Sequence, residues 1–165
     1  MQMVKTNVSN DDILSLLENV MDPEVPVLSI VDLGIVRNVD AENNTITITP
    51  TYSGCPAMQT IEDDIRKILA DNGLENITIE TTLTPAWTTD WMSEAGRKKL
   101  REYGIAPPVG TSKDKSVLFG DEKEVACPQC RSMRTKLISQ FGSTACKAMY
   151  KCEDCLEPFD YFKCI

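Results

Sequence analysis

The sequence predicts an α+β fold: a small mixed sheet with helices packed on it, followed by a C-terminal zinc-ribbon-like module. Three observations carry that prediction. Over residues 1–106 the apolar period alternates between helical and strand-like. Pro107-Pro108 and the polar stretch from Gly110 to Ser116 then break any regular pattern. Finally, six of the seven cysteines fall in the last 39 residues. Four of them form two CxxC pairs, Cys127-Pro128-Gln129-Cys130 and Cys152-Glu153-Asp154-Cys155.

The elements follow in order. Ser9 opens an S-x-x-D pattern with Asp12, a helix-start signal. Ile13, Leu14, Leu16, Leu17 and Val20 then share one helical face, and Asp22-Pro23 with Val25-Pro26 end it. Leu28 to Val31 and Ile35 to Val39 are expected to be extended runs around the turn Asp32-Leu33-Gly34. Thr45-Ile46-Thr47-Ile48-Thr49 alternates strictly and is the clearest strand, with Asn43-Asn44 as its hairpin turn. After Ser53-Gly54-Cys55-Pro56 the period becomes helical through Met58, Ile61, Ile65, Ile68 and Leu69, ending at Asn72-Gly73. Ile77, Ile79, Thr81 and Leu83 alternate as another strand, broken by Pro85-Ala86-Trp87. Ser93 to Tyr103 reads as a third helix, capped by Gly104.

This order divides the chain into an α+β domain over residues 1–106, a linker over 107–116 and a four-cysteine module over 117–165. The last segment has few apolar residues beyond Phe141, Tyr150, Phe159, Tyr161 and Phe162. So thin a core normally needs a staple, and a metal bound by thiolates supplies one.

Each CxxC pair lets two sulfurs converge on one ion from a tight turn, and Zn(II) accepts four thiolates tetrahedrally. Cys127, Cys130, Cys152 and Cys155 are therefore the candidate metal ligands, with structural zinc favoured over an iron-sulfur centre, which the same thiolates could also hold. Cys146 and Cys164 are left over: small thiols, or additional ligands of a labile or docking site. Cys55 stands alone between a strand and a helix, with Pro56 expected at the first helical position. Backbone N–H groups there would stabilise a thiolate, which makes Cys55 a candidate working thiol; the alternative is a small residue filling a tight corner. Asp22, Glu24 and Asp32 flank the preceding turns, as turn formers or as acids of a polar site. Trp87, Trp91 and Met92 read as core, with an exposed partner-binding patch as the alternative.

Composition excludes several functions. Residues 1–106 carry eight Lys and Arg against seventeen Asp and Glu, and residues 107–165 nine against eight. So acidic a first domain argues against tracking a phosphate backbone, and no nucleic-acid partner is expected. The chain contains no His, which removes Ser-His and Cys-His nucleophile chemistry and the usual His-containing iron sites. No apolar run is long enough to span a bilayer, Met1 to Thr6 lacks the core of a signal peptide, and the cytoplasm is expected.

Asp22-Pro23-Glu24, the run from Ser29 to Val36 and Gly54-Cys55-Pro56 together resemble the family known as domain of unknown function 59, linked to iron-sulfur cluster assembly. Thr84-Pro85-Ala86-Trp87-Thr88-Thr89-Asp90-Trp91, Gly104 to Pro108, Cys127 to Cys130, Phe141 to Lys147 and Glu157-Pro158-Phe159 extend the likeness. They resemble the PaaD-type subunits of phenylacetyl-CoA 1,2-epoxidase systems. That resemblance implies a non-catalytic accessory subunit in aerobic phenylacetate catabolism. It would mature the complex by assisting iron or iron-sulfur assembly, with the oxygenase and reductase components and iron-sulfur assembly proteins as partners. It places functional weight on Cys55 and on Asp22, Glu24 and Asp32, with a transient iron or cluster as cargo. The alternative is an electron-transfer subunit with an iron-sulfur or rubredoxin-like site in the C-terminal quartet.

Overall fold

The computed structural model describes residues 8–110 and 123–163. The readings of Met1 to Thr6, of the stretch 111–116 and of Cys164 lie outside the described residues.

The first helix, α1 (Asn10–Leu17), begins as its sequence dictates. The Asp12 N–H donates to the Ser9 hydroxyl, and the Ser9 N–H donates back to the Asp12 carboxylate at 3.0 Å. Two of the helix's orphan donors are so satisfied, worth about 1 kcal/mol each way. The helix stops at Leu17, ahead of the prolines, where the Asn19 side-chain amide donates to the carbonyls of Ser15 and Leu16. Strands β1 (Val36–Asp40) and β2 (Thr45–Ile48) form an antiparallel hairpin, with Asn44 at φ 54° in its turn. Helix α2 (Ala57–Asp71) then crosses over to β3 (Thr78–Thr81), which pairs parallel with β2. The sheet order is β1-β2-β3, so β2 is central. Its Ile46 and Ile48 point into the core, where Ala57, Ile61, Ile65 and Leu69 of α2 meet them at four-residue spacing.

Two extended segments differ from expectation. Leu28 to Val31 forms turns, touching strand geometry only in a single Met21–Ser29 bridge. Its backbone donors go to scattered acceptors and not to a ladder: Leu28 to the Val25 carbonyl, Ser29 to the Asp32 carboxylate and Ile30 to the Val20 carbonyl. The run is apolar because Leu28, Ile30 and Leu33 are all buried, not because a ladder requires alternation. Strand β3 ends at Thr81, and Leu83 beyond it is 56% exposed. Pro56 is the cap before α2 instead of its first residue.

Helix α3 (Glu94–Tyr103) starts on the Ser93 hydroxyl, which accepts from the Gly96 N–H at 2.9 Å. Directly after it, β4 (Ile105–Ala106) leaves the first sheet's neighbourhood and joins a second. That sheet has the order β4-β7-β6-β5, from β5 (Thr135–Ser139), β6 (Lys147–Cys152) and β7 (Pro158–Phe162). Its small core holds Tyr150 stacked on Phe159 at 5.9 Å and edge-on to Tyr161 at 5.5 Å. Phe141 is outside it, exposed, with the Lys163 ammonium 4.4 Å from its ring centroid. The ribbon meets the first domain closely, since Cys146 and Phe162 belong to the main hydrophobic core. Arg97 clamps the junction, donating to the carbonyls of Thr89 at 2.8 Å and Pro108 at 2.9 Å.

Candidate functional site

One cluster of thiols forms, in the ribbon, and two further thiols, Cys55 and Cys146, lie at the core of the first domain. In the ribbon, the Sγ atoms of Cys127, Cys130, Cys152 and Cys155 all lie within 4.8 Å of one another. Cys127 and Cys155 are 3.7 Å apart, Cys130 and Cys152 3.6 Å. Four thiolates at a Zn–S distance of about 2.3 Å occupy a tetrahedron whose edge is roughly 3.8 Å. The quartet thus fits a tetrahedral ion closely.

The two CxxC turns are built alike. Each is followed by a residue with positive φ, Arg131 at 64° and Leu156 at 65°. The Arg131 N–H donates to the Cys127 carbonyl, and the Cys152 N–H to that of Glu157. The N–H groups of Cys155 and Asp154 bond the Cys152 sulfur, which brings its pKa down to about 7 despite desolvation. Asp154 ties the turns together by accepting from the Ser132 hydroxyl and, at 2.7 Å, from Arg134. Buried Cys127 and Cys152 face the small core, whereas Cys130 and Cys155 are exposed.

The first of these two further thiols is Cys55. The loop before α2 leaves this thiol half-buried against the main core, its N–H donating to the Tyr52 carbonyl at 3.2 Å. Burial, with negative charge at Cys55, Glu24 and Cys146 around it, pushes the Tyr52 phenol up to about 12. Cys146 brings the ribbon to Glu24. Its buried thiol donates to Glu24 Oε2 at 3.7 Å and lies 3.0 Å from the Thr144 hydroxyl. Burial pushes the Cys146 thiol up to about 11; Glu24 and Asp22 add to this, against Thr144 and Lys147. Lys147 locks the contact by donating from Nζ to the Glu24 carbonyl at 3.1 Å.

The three acids named from the sequence fall into different surroundings. Asp22 is buried and its Oδ1 accepts from the N–H groups of Glu24 and Val25, both at 2.8 Å, which forms the turn that presents Glu24. Burial raises its pKa, with those N–H bonds opposing. Asp32 faces α3, where its carboxylate accepts from Lys99 Nζ at 2.6 Å and the Ser93 hydroxyl at 3.0 Å, and from the Ser29 N–H at 3.2 Å. Burial works against the charged form, but these donors together hold its pKa below the usual value. Glu24 is the acid that meets the Cys146 thiol. Tyr52 and Lys147 were not foreseen; Tyr52 stands three residues before Cys55, a turn spacing that could have marked it. Trp87 is buried core, donating from its indole to the Leu33 carbonyl, and Trp91 lies under the Arg37 guanidinium, 3.5 Å from its ring centroid.

Comparison with known proteins adds the family. Residues 10–81 match the iron-sulfur cluster assembly protein family, and residues 111–163 match the PaaD zinc beta ribbon domain. A protein of Escherichia coli K12, provisionally called a subunit of 1,2-phenylacetyl-CoA epoxidase, is 53% identical over 156 residues, 93% of this chain and 92% of that protein. An Fe-S protein maturation auxiliary factor of Porphyromonas gingivalis is 38% identical over 56% of this chain and 90% of its own length. A crystal structure of a domain of unknown function 59 from Bacillus anthracis superposes with a TM-score of 0.50 at 32% identity, covering 55% of this chain and 90% of that one. No helix among the described residues is long and apolar enough to cross a membrane. The chain belongs to the PaaD family, an iron-sulfur assembly-type α+β domain carrying a C-terminal zinc ribbon.

Proposed function

We propose that this chain is a non-catalytic maturation subunit of a multicomponent phenylacetyl-CoA 1,2-epoxidase, assisting assembly of an iron or iron-sulfur centre in a partner component. One observation carries this reading: the Cys55 thiol is held half-buried in the turn just before α2, its N–H on the Tyr52 carbonyl, on an iron-sulfur assembly-type domain. A single, partly exposed thiol binds a thiophilic cation loosely enough to pass it on. The name of the E. coli relative supports the epoxidase as the client, and the names of the shorter relatives support maturation as the task. The absence of His fits an auxiliary role, since the chain lacks the commonest general base and iron ligand.

In this reading Cys55 and Glu24 contact the cargo, Asp22 shapes the turn that presents Glu24, and Asp32 fixes α3 against the separate turn from Ser29 to Gly34. Cys127, Cys130, Cys152 and Cys155 hold a zinc ion that supplies a cross-link and no open coordination position. The units 1–106 and 117–165 are then a cargo domain and a docking ribbon, and a cytoplasmic setting keeps the thiols reduced.

The test is co-expression of the oxygenase and reductase components with a Cys55→Ala variant. The expected result is a loss of iron from a partner component and a matching loss of epoxidation. Full iron occupancy with full epoxidation would remove the proposal. Iron-thiolate colour in the anaerobically purified ribbon, with no zinc, would favour electron transfer instead.

A further inference from the structure

A cavity of about 680 Å³ opens between α3 and the first CxxC turn of the ribbon. Lys98, Arg101 and Glu102 line it from α3, and Cys127, Gln129 and Arg131 line it from the ribbon. Buried Ala106 and Val125 and half-buried Val109 give it an apolar lining. Its two sides are held in place. The Gln129 amide end reaches the cap of α3, so that a Cβ added to Gly104 would lie 3.4 Å from Gln129 Nε2. The Val109 N–H donates to the Tyr161 hydroxyl at 3.1 Å, and β4 pairs with β7. The groove therefore exists only where both units meet, a common place for a binding site.

Its charges are not balanced. Lys98 Nζ lies 3.7 Å from Glu102 Oε1, so these two offset each other. Arg101 and Arg131 are both exposed, and among the described residues neither guanidinium has an ion pair or hydrogen bond. In the first domain this is unusual. Arg37 lies over Trp91, and Arg66, Lys67, Arg97, Lys98 and Lys99 each have a carboxylate partner. Over residues 1–106 seventeen Asp and Glu stand against eight Lys and Arg, yet Arg101 is left without one of those acids.

We propose that this groove is the docking site for an acidic, extended segment of the client component, whose carboxylates pair with Arg101 and Arg131 while its apolar side chains lie on Val109 and Pro107. The site rests on the maturation reading, which supplies the client, and it gives the docking ribbon a defined surface. Charge complementarity selects this occupant. A guanidinium fork takes a carboxylate bidentately, and arginine clusters are a recurrent means of holding acidic motifs. The acidic remainder of the first domain repels such a segment and so steers it to the groove. The bland alternative is that Arg101, in the last turn of α3, only offsets the helix dipole and that Arg131 is a solvated turn residue. In that case neither side chain affects association.

The test titrates the fluorescently labelled, zinc-loaded full chain with the separately purified oxygenase and reductase components, read by anisotropy. The expected result is binding to one component that weakens as salt is raised. Arg101→Glu and Arg131→Glu should each weaken it at least tenfold, and Val109→Asp should weaken it as well. Lys136→Glu is the control, since it makes the same charge change on the ribbon but outside the groove, and it should bind like the parent. Unchanged zinc content and far-ultraviolet circular dichroism establish that each variant is folded.

Parental binding by both arginine variants overturns the docking site, as does equal weakening by Lys136→Glu or the absence of binding to either component. Displacement of the component by inorganic phosphate at constant ionic strength makes the groove a small-anion site and overturns it too. A dimer of the chain that Arg101→Glu dissociates gives the groove to a second copy, with the same consequence. If the arginine variants bind normally while Cys55→Ala empties the partner of iron, the docking site fails and the maturation reading stands. If the arginine variants lose binding while Cys55→Ala leaves partner iron and epoxidation intact, the docking site stands and the maturation reading fails.

Discussion

Trp87 meets Phe162 edge to face across the junction of the two sheets, their ring centroids 6.2 Å apart and their planes inclined at 76°. Phe162 is the last residue of β7, but it is buried in the core of the first domain, not in that of the ribbon. Together with β4, which the first domain contributes to the ribbon's sheet edge, this contact makes the two units mutually dependent. The Cys146–Glu24 contact keeps its geometry only while that junction holds.

Phe162→Ala should therefore destabilise the whole chain by about 3–5 kcal/mol, the usual cost of emptying a fully buried aromatic site. Trp87→Ala removes the same ring contact from the other side. The double variant should then cost less than the sum of the singles by about 0.5–1.5 kcal/mol, read by urea unfolding. Strict additivity would show that the rings do not interact energetically.

Removing the metal acts from the other end. With its small core, the ribbon should lose order when a chelator strips the quartet or when Cys127→Ser deletes one ligand. Limited proteolysis should then cut first within residues 123–163, and α2 and the β1-β2-β3 sheet should follow with less protection than in the metal-loaded chain, because Phe162 and Cys146 leave their core. Equal protease resistance with and without metal would contradict a structural role for the ion.

Asp32 and Asp22 should show opposite pH signatures. Asp32 has a lowered pKa, so its contribution is complete above the ordinary value of 3.8 and is lost as pH falls through the lower folded value. Asp32→Asn should remove that acid-side loss and cost about 1–3 kcal/mol near neutrality, because Lys99 and Ser93 lose a charged acceptor. Asp22 has a pKa raised by burial, so the folded state binds its proton more tightly, and stability falls as pH rises from 3.8 through the higher folded value. Asp22→Asn keeps an oxygen for the Glu24 and Val25 N–H groups and should flatten that decline. Unfolding free energies measured from pH 2 to 7 separate the two; parallel profiles would refute the assignment.

Local features were readable from sequence, and long-range ones were not. The Ser9–Asp12 box, the alternation of β2 and the α2 face each lie within one element, and each CxxC pair is a local turn whose repeat marks the quartet. Strand β4 has two residues and finds its partner in Asp160 and Tyr161, so no period could announce it. Leu28 to Val31 misled because burial on all sides makes any short segment apolar, whether strand or turn. The approach of Cys146 to Glu24 spans 122 positions and depends on the junction itself. Asp32 was named from the sequence as a turn former or an acid of a polar site, but its ion pair with Lys99 required the fold.

Gly34 offers a final test of how tightly the Asp32 turn is held against the loop before α3. Its φ is 72°, and a Cβ there would run into the Trp91 carbonyl oxygen and come within 2.7 Å of the Trp91 Cβ. Gly73, after α2, has the same φ of 72° but nothing within 4 Å of the added atom. Gly73→Ala should therefore cost only the left-handed backbone penalty, about 1–2 kcal/mol. Gly34→Ala carries that penalty plus overpacking against backbone that cannot rotate away, about 1–3 kcal/mol more. The difference between the two variants measures the close approach alone. It should also appear as weaker Trp91 packing beneath Arg37, visible as a change in tryptophan fluorescence in Gly34→Ala but not in Gly73→Ala. Equal losses of stability in the two variants would mean that the 87–92 loop yields freely, and would remove the rigid support assigned to the turn that carries Asp32.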